Sequence, residues 1–386
     1  MITSLKVKGF RGIEEGELSD LSRVNILVGS NNSGKSSILE AINMLYSLTN
    51  EVGVFGEDII ENLARIRVRR TAYYPSLWYK YDDESPIEYE IGFDSGLELN
   101  ADFDKRRRWL IKKPSFKVKI GERDRFTEEE VMLKLLQYGP FGAAIYLLFG
   151  IDDGREIGKS FLIRDLRPEL QSHRVTNRVD CDKLLNSLGG LKSIIIDAEM
   201  VKNFAIIEKE VFPTILQKRE DKKLIEILNE AYETEIEGLS YMPFSREKEE
   251  KKEEYALLLM LKDYSVRIDE FGDGVKHAVA ILSILLGVDI SLLLLEEPEM
   301  HQHPKAFSYL AKSLSSLTAK ARTQMFITTH NLELIDAFLD TFKEEDVSLY
   351  HLSLRDGKLD ARKIETPDAK VLDDLGIDVR SLERYM

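Results

Sequence analysis

The segment GSNNSGKSS at Gly29–Ser37 constrains this chain more than any other feature. It matches GxxxxGK[ST] in full. In such a loop the glycines let the backbone turn tightly enough to aim successive N–H groups at phosphate oxygens, and the helix that opens there adds its positive dipole end. The flanks agree with this reading. Ile26–Val28 reads as an apolar strand before the loop, and Ile38, Leu39, Ala41, Ile42 and Leu45 follow it at helical spacing. Strand, glycine loop and helix together are the context a phosphate site requires. The candidate contacts are Asn31, Asn32, Ser33, Gly34, Lys35, Ser36 and Ser37, with Lys35 reaching the β and γ phosphates and Ser36 ligating Mg²⁺.

A second motif lies far along the chain, SLLLLEEPEMHQHP at Ser291–Pro304. Its apolar strand delivers two acids to the carboxyl end, where open α/β sheets bind ligands. Glu296 is expected to hold the Mg²⁺ shell, and Glu297 to orient and deprotonate an attacking water. Without a phosphate loop elsewhere, the same acids would be no more than a polar loop. His301 and His303 beside three glutamates admit a transition-metal site as an alternative, although a loop flanking the γ-phosphate accounts for the same residues. In MFITTHN, Met325–Asn331, a third apolar strand ends at His330, which is either a γ-phosphate contact or a satisfied structural histidine. FGDGVKHAV, Phe271–Val279, puts Gly272, Asp273, Gly274 and Lys276 at the start of an amphipathic helix. Those residues are an ordinary cap or a second helix N-terminus offered to phosphate.

Between these ends the texture changes. Alternating patterns over residues 66–121 read as an antiparallel meander, whereas residues 127–149 and 200–255 read as helical and strongly charged. The run Arg246–Glu254 is expected to be a solvated helix or loop without coiled-coil heptads. Lys105–Trp109, KRRRW, is either a solvated hairpin tip or a nucleic-acid contact, and the tyrosines around Trp78 are expected to pack on strands. From Tyr255 the pattern returns to α/β: a helix at Val275–Leu286, a strand at Leu292–Leu295, a helix after Pro304 and a strand at Met325–Thr329. The expected fold class is therefore α/β with a mixed central sheet, an antiparallel β meander and a helical insertion. Residues 1–74 with 256–386 would form the core, and residues 75–255 the insertion.

Composition narrows the setting. The 386 residues allow one large α/β domain with an insertion, or two modest domains. The single cysteine, Cys181, rules out an intramolecular disulfide and suits a reducing interior. The N-terminus lacks a signal-peptide core and no stretch approaches a spanning helix, so a cytoplasmic protein is expected. A net charge of −14 argues against diffuse nucleic-acid binding but permits a local basic patch. Richness in Glu and Lys leans towards a thermophilic source.

The order of the four motifs, with a long interruption after the first, resembles the ABC-type ATPase heads of the SMC and RecF group, and more closely the small OLD-like, AAA-annotated P-loop ATPases. The opening LKVKGFRGIEEGELSDLSRVNILVGSNNSGKSSILEAI is similar to that family's start, where an aromatic–Arg pair, here Phe10 and Arg11, lies near the nucleotide. LLLLEEPEMHQHP resembles its Walker B and D-loop, and TTHN its switch histidine. The resemblance implies ATP and Mg²⁺ as ligands and a homodimer in which each ATP lies between one head's phosphate loop and the partner's signature loop. Gly272, Asp273, Gly274 and Lys276 would then act in trans. Two positions depart from the family: Gly272 stands where a serine is usual, and Glu296 where many relatives have Asp. No Q-loop glutamine is evident, and too few residues follow His330 for the toprim nuclease of full OLD proteins. The implied activity is an ATP-driven dimerising head, in DNA maintenance or repair or in anti-phage defence. One competitor is a nucleotide-gated switch holding a partner nuclease or toxin; another is a transporter subunit, which the signature and the insertion disfavour.

Overall fold

The computed structural model describes residues 1–50, 52–66, 71–120, 123–127, 132–137, 143–152, 155–162, 187–243, 255–365, 368 and 378–380. Three strands open the chain: β1 (Ile2–Phe10), β2 (Ile13–Leu18) and β3 (Val24–Val28). Helix α1 (Lys35–Leu45) follows the glycine loop, and α2 (Ile59–Ile66) lies beyond it. Next come β4 (Ile87–Phe93), β5 (Leu97–Phe103), β6 (Trp109–Ile120), β7 (Arg123–Thr127), β8 (Met132–Gln137), β9 (Ala143–Asp152) and β10 (Arg155–Leu162). After β11 (Ser193–Ile196) the chain turns helical, with α3 (Ala198–Lys202), α4 (Ala205–Glu210), α5 (Phe212–Lys218) and α6 (Asp221–Tyr232). A small antiparallel sheet, β12 (Gly238–Pro243), β13 (Tyr255–Met260) and β14 (Ser265–Arg267), precedes α7 (Asp273–Gly287). The last part comprises β15 (Leu292–Glu296), α8 (Pro304–Ala321), β16 (Gln324–Thr328), α9 (Leu332–Thr341), β17 (Val347–Arg355) and β18 (Lys358–Ile364).

Both chain ends build one sheet. Its centre is parallel, in the order β17, β3, β16, β15, β11, so the strand before the glycine loop lies directly beside the one ending at Thr328, and that strand beside the one ending at Glu296. Successive side chains of a strand point to opposite faces, and here each face meets its own core. Leu27, Leu292, Leu294 and Phe326 pack with α1 and the strands β1, β4 and β5. Val24, Ile26, Val28, Leu293, Leu295, Met325 and Ile327 pack with α7, α8 and α9. That is why the interiors of these strands read as apolar runs, interrupted in β3 by the buried Asn25. Each buried leucine contributes about 1.5–3 kcal/mol. Gln324 fastens the ends together: its side chain accepts from the Ile2 N–H at 2.9 Å and donates to the Ile2 carbonyl at 2.8 Å.

Several expectations change. Residues 132–137 and 143–152 are strands, not part of a helix. Leucine-rich runs this short carry no decisive period, and pairing with neighbouring strands settles them. The core does not divide at residues 75 and 255, because β4 and β5 extend the sheet from β1 and because β11 pairs in parallel with β15. The aromatic segment around Trp78 forms 3₁₀ turns at Tyr74–Leu77 and Tyr79–Tyr81 rather than strands, with the buried Trp78 ring 5.8 Å from Phe103. In the basic run, Lys105 pairs with Glu84 at 2.6 Å, Arg108 with Asp104 at 2.9 Å, and Arg107 lies 4.6 Å over the Tyr74 ring. Three of its four charges are thus engaged by the hairpin and its surroundings. Arg246–Glu254 and Cys181 lie outside the described residues. Among the described residues no helix is long and apolar enough to cross a membrane.

Candidate active site

The phosphate loop joins β3 to α1, and its shape depends on close backbone approach. Gly29 has φ +145°, and a Cβ there would overlap the Leu352 carbonyl oxygen on the neighbouring strand. Helix α1 opens after Gly34, with no acidic residue in its first turn to compete with an anion for the exposed amide ends. The Lys35 ammonium donates to the carbonyls of Gly29 and Ser30, each at 2.9 Å, so it lies over the loop it must serve. Asn31 and Asn32 are exposed at the loop's rim, whereas Ser33, Gly34 and Ser37 are buried.

The distant acids arrive at the same place. The Ser36 hydroxyl donates directly to the Glu296 carboxylate, joining the start of α1 to the end of β15 across 260 residues. Two hard oxygen donors at the foot of a phosphate loop fit the preference of Mg²⁺, which takes one or two protein oxygens together with phosphate oxygens and water. Burial raises the Glu296 pKa, with Asp197, Glu40 and Glu297 adding to the effect and the Ser36 bond opposing it. A nearby cation would reverse that balance.

Glu297, the next residue, has φ +48°, a left-handed conformation that costs a glutamate on the order of 1 kcal/mol. Its N–H donates to the Thr328 carbonyl at 3.0 Å, which holds the turn against β16. The His330 Nε2 atom lies 3.7 Å from Glu297 Oε1. Burial lowers the His330 pKa, the Lys35 charge lowers it further, and Glu297 partly restores it, so on balance the surroundings favour the neutral imidazole. Glu299 completes the clamp by accepting from the Thr329 hydroxyl at 2.6 Å and the His330 N–H at 3.0 Å.

Other expected residues are placed differently. Arg11 is buried and its guanidinium is engaged inside the protein: Nε donates to Glu40 at 2.6 Å, Nη2 to the Leu63 carbonyl at 2.6 Å, and Nη1 to Ser76 at 3.1 Å. It ties α1 to the segment before β4. Gly272 and Asp273 are exposed at the N-terminus of α7, but Lys276 pairs with Asp269 at 2.6 Å. Gly274 allows a close approach, since a Cβ there would lie 2.5 Å from the His301 carbonyl oxygen. His303 caps α8 by accepting from the Lys305 N–H at 3.2 Å. Among the described residues no group of three or more His, Cys, Asp or Glu side chains comes together to hold a metal.

One acidic residue escaped the sequence reading. Asp197 follows β11, whose register aligns Ile196 with Leu295, so it stands beside Glu296 at the same sheet edge. Burial raises its pKa while it caps α3 through the Met200 N–H. The signal was SIIID, an apolar run ending in an acid, shorter than the other strands and within the stretch assigned to the insertion.

Comparison with known proteins finds ATPase family models at both ends of the chain. Residues 1–135 match a family model described as "AAA ATPase domain". Residues 169–336 match one described as "AAA domain, putative AbiEii toxin, Type IV TA system". The chain is similar to an ATP/GTP phosphatase of Helicobacter pylori, 22% identical over 354 residues and covering 90% of each protein. It is also similar to an OLD nuclease of Thermus scotoductus, 22% identical over 403 residues, which span 97% of this chain and 66% of the nuclease. Among solved structures, an SMC head bound to the C-terminal winged-helix domain of ScpA superposes with a TM-score of 0.51 at 12% identity, covering 95% of this chain and 99% of that one. That likeness concerns the fold.

Proposed function

We propose that this chain, an ATP-hydrolysing P-loop head of the ABC and OLD-like type, works as a Mg²⁺-dependent homodimer whose two heads close on ATP and part after hydrolysis. The observation that carries the catalytic part is the convergence at one sheet edge of Lys35, the Ser36–Glu296 pair and the Glu297–His330 pair, drawn from motifs some 260 residues apart. Backbone N–H groups of the loop bind the phosphates, and Lys35 neutralises charge on the β and γ groups. Ser36 and Glu296 would hold Mg²⁺, which supplies further neutralisation of the phosphate oxygens. Glu297 orients the attacking water and takes its proton, while neutral His330 is placed to contact the γ-phosphate. The dimer draws its support from the resemblance to ABC-type heads and from the exposure of Gly272 ahead of α7; Asp273, an acid in that helix's first turn, opposes an anion there, so Gly272 is the group offered to a partner's nucleotide.

The test uses Lys35→Ala and Glu297→Gln in the full chain. Lys35→Ala is expected to lose ATP binding, and Glu297→Gln to bind ATP, become dimeric with it and hydrolyse at least about 10²-fold more slowly. Unchanged turnover in Glu297→Gln would overturn the assignment of the base. Size-exclusion chromatography with light scattering reads the dimer: a monomer with ATP bound contradicts it. A role in DNA repair or defence draws support from the OLD nuclease relative alone. The second reading, a switch that governs a partner nuclease or toxin with little turnover of its own, is favoured by the toxin–antitoxin description of the family matched at residues 169–336. Brisk hydrolysis without a partner counts against it.

A further inference from the structure

His277 belongs to none of the four motif roles, yet it lies at the junction of two of them. It is 1% exposed on α7, one turn past Gly274. Its Nδ1 atom is 3.1 Å from the Met300 carbonyl oxygen. An acceptor on one side requires a donor on the other, so Nδ1 carries the proton. The Nε2 atom is buried with no hydrogen-bond partner among the described residues, and a proton there would leave an uncompensated donor on a charged ring. The ring is therefore neutral, with its single N–H spent on Met300.

Met300 is not an arbitrary partner. Its own N–H donates to the Glu297 carbonyl at 3.0 Å, closing the turn that holds Glu297 in its left-handed conformation. The next residues of that turn are also bound to α7. Gln302 donates to the Gly274 carbonyl at 2.9 Å, and the Tyr232 hydroxyl donates its one hydrogen to the Gln302 side-chain carbonyl, with the Gly274 carbonyl 3.3 Å away. The turn is thus gripped by β16 on one side, through Glu299, and by α7 on the other.

We propose that His277 is a positioning residue for hydrolysis: its Nδ1–H bond to Met300 couples the helix beginning at Gly272 to the turn presenting Glu297. Movement of α7 then shifts the base rather than the bound phosphates. The inference rests on Glu297 being that base.

Steady-state ATPase kinetics and fluorescent ATP-analogue binding on the full chain test it with three variants. Asn can place a donor where Nδ1 lies, Gln places it where Nε2 lies, and Leu provides none. His277→Asn is expected to keep kcat within about threefold, whereas His277→Gln and His277→Leu lose about tenfold in kcat with KM and analogue Kd nearly unchanged. Three variants with wild-type kcat, three with equal losses, or a loss residing in KM would each overturn the proposal. Should His277→Leu fail to fold, the contrast between His277→Asn and His277→Gln still decides. Glu297→Gln separates the two levels. Wild-type turnover in that variant removes the base on which the inference stands, while an inactive Glu297→Gln beside a fully active His277→Gln removes the inference alone.

Discussion

Arg11 and His277 show what individual side chains do in this head that a motif does not reveal. A buried charge is tolerated only when paired, and Arg11 and Glu40 meet at 2.6 Å with side chains 2% and 6% exposed. Arg11→Leu leaves Glu40 without that partner, and chemical denaturation should register a loss of about 3–5 kcal/mol. Intact stability combined with lost ATP binding would restore Arg11 to the nucleotide instead. His277 leads to a pH prediction. Burial lowers its folded pKa below the ordinary 6.5, with Met300, Asp197 and His301 as the polar groups facing it. Below pH 6.5 the unfolded chain binds a proton that the folded chain refuses, so this histidine's contribution is complete above pH 6.5 and is lost as the pH falls. Buried Glu299 and Asp197, whose pKa values are raised, act in the opposite direction. The difference in melting temperature between the wild type and His277→Asn isolates the effect, and the wild type should lose more between pH 6.5 and 5. Equal slopes would contradict it. That Lys35, Ser36 and Glu296 come together was legible because each lies in a contiguous motif; the partners of Arg11 and His277 are 29 and 23 or more positions away.

At the scale of elements, the core strands were legible for a physical reason. Val24–Val28, Leu292–Leu295 and Gln324–Thr328 are buried on both faces and are therefore apolar except at Asn25, Gln324 and Thr328, of which Asn25 and Gln324 spend their side chains on buried hydrogen bonds. Leu294→Ala in β15 is expected to cost about 2–5 kcal/mol, read as a shift of the denaturation midpoint without loss of cooperativity. The strands at residues 132–137 and 143–152 were not legible, since what makes them strands is their pairing with each other and with β6, at distances no local period records. The loop between β15 and α8 behaves as an element in its own right. Gly274 allows it to lie against α7, so Gly274→Ala should force the two apart and lower kcat by about tenfold or more, with a smaller effect on ATP binding. An ATPase rate unaffected by Gly274→Ala would show that the contact is incidental.

Over the whole molecule, the decisive feature is that the two ends of the chain share one sheet, with Gln324 holding Ile2 and β3 lying between β16 and β17. The motifs foretold the meeting of the ends, because a phosphate loop without its acids makes no ATPase. The extent of the sheet was not foretold, since β11 enters it from the middle of the chain through four residues. The proposed dimer belongs to this scale too: ATP should shift the Glu297→Gln form from monomer to dimer in light scattering. The central claim is that Lys35 and Glu297 serve one triphosphate, and a crystal structure of Glu297→Gln with ATP and Mg²⁺ addresses it most directly. The account predicts Lys35 bonded to the β and γ phosphates and residue 297 of the same head beside that γ-phosphate. A nucleotide bound elsewhere, or one that touches Lys35 while residue 297 lies out of reach, would contradict it.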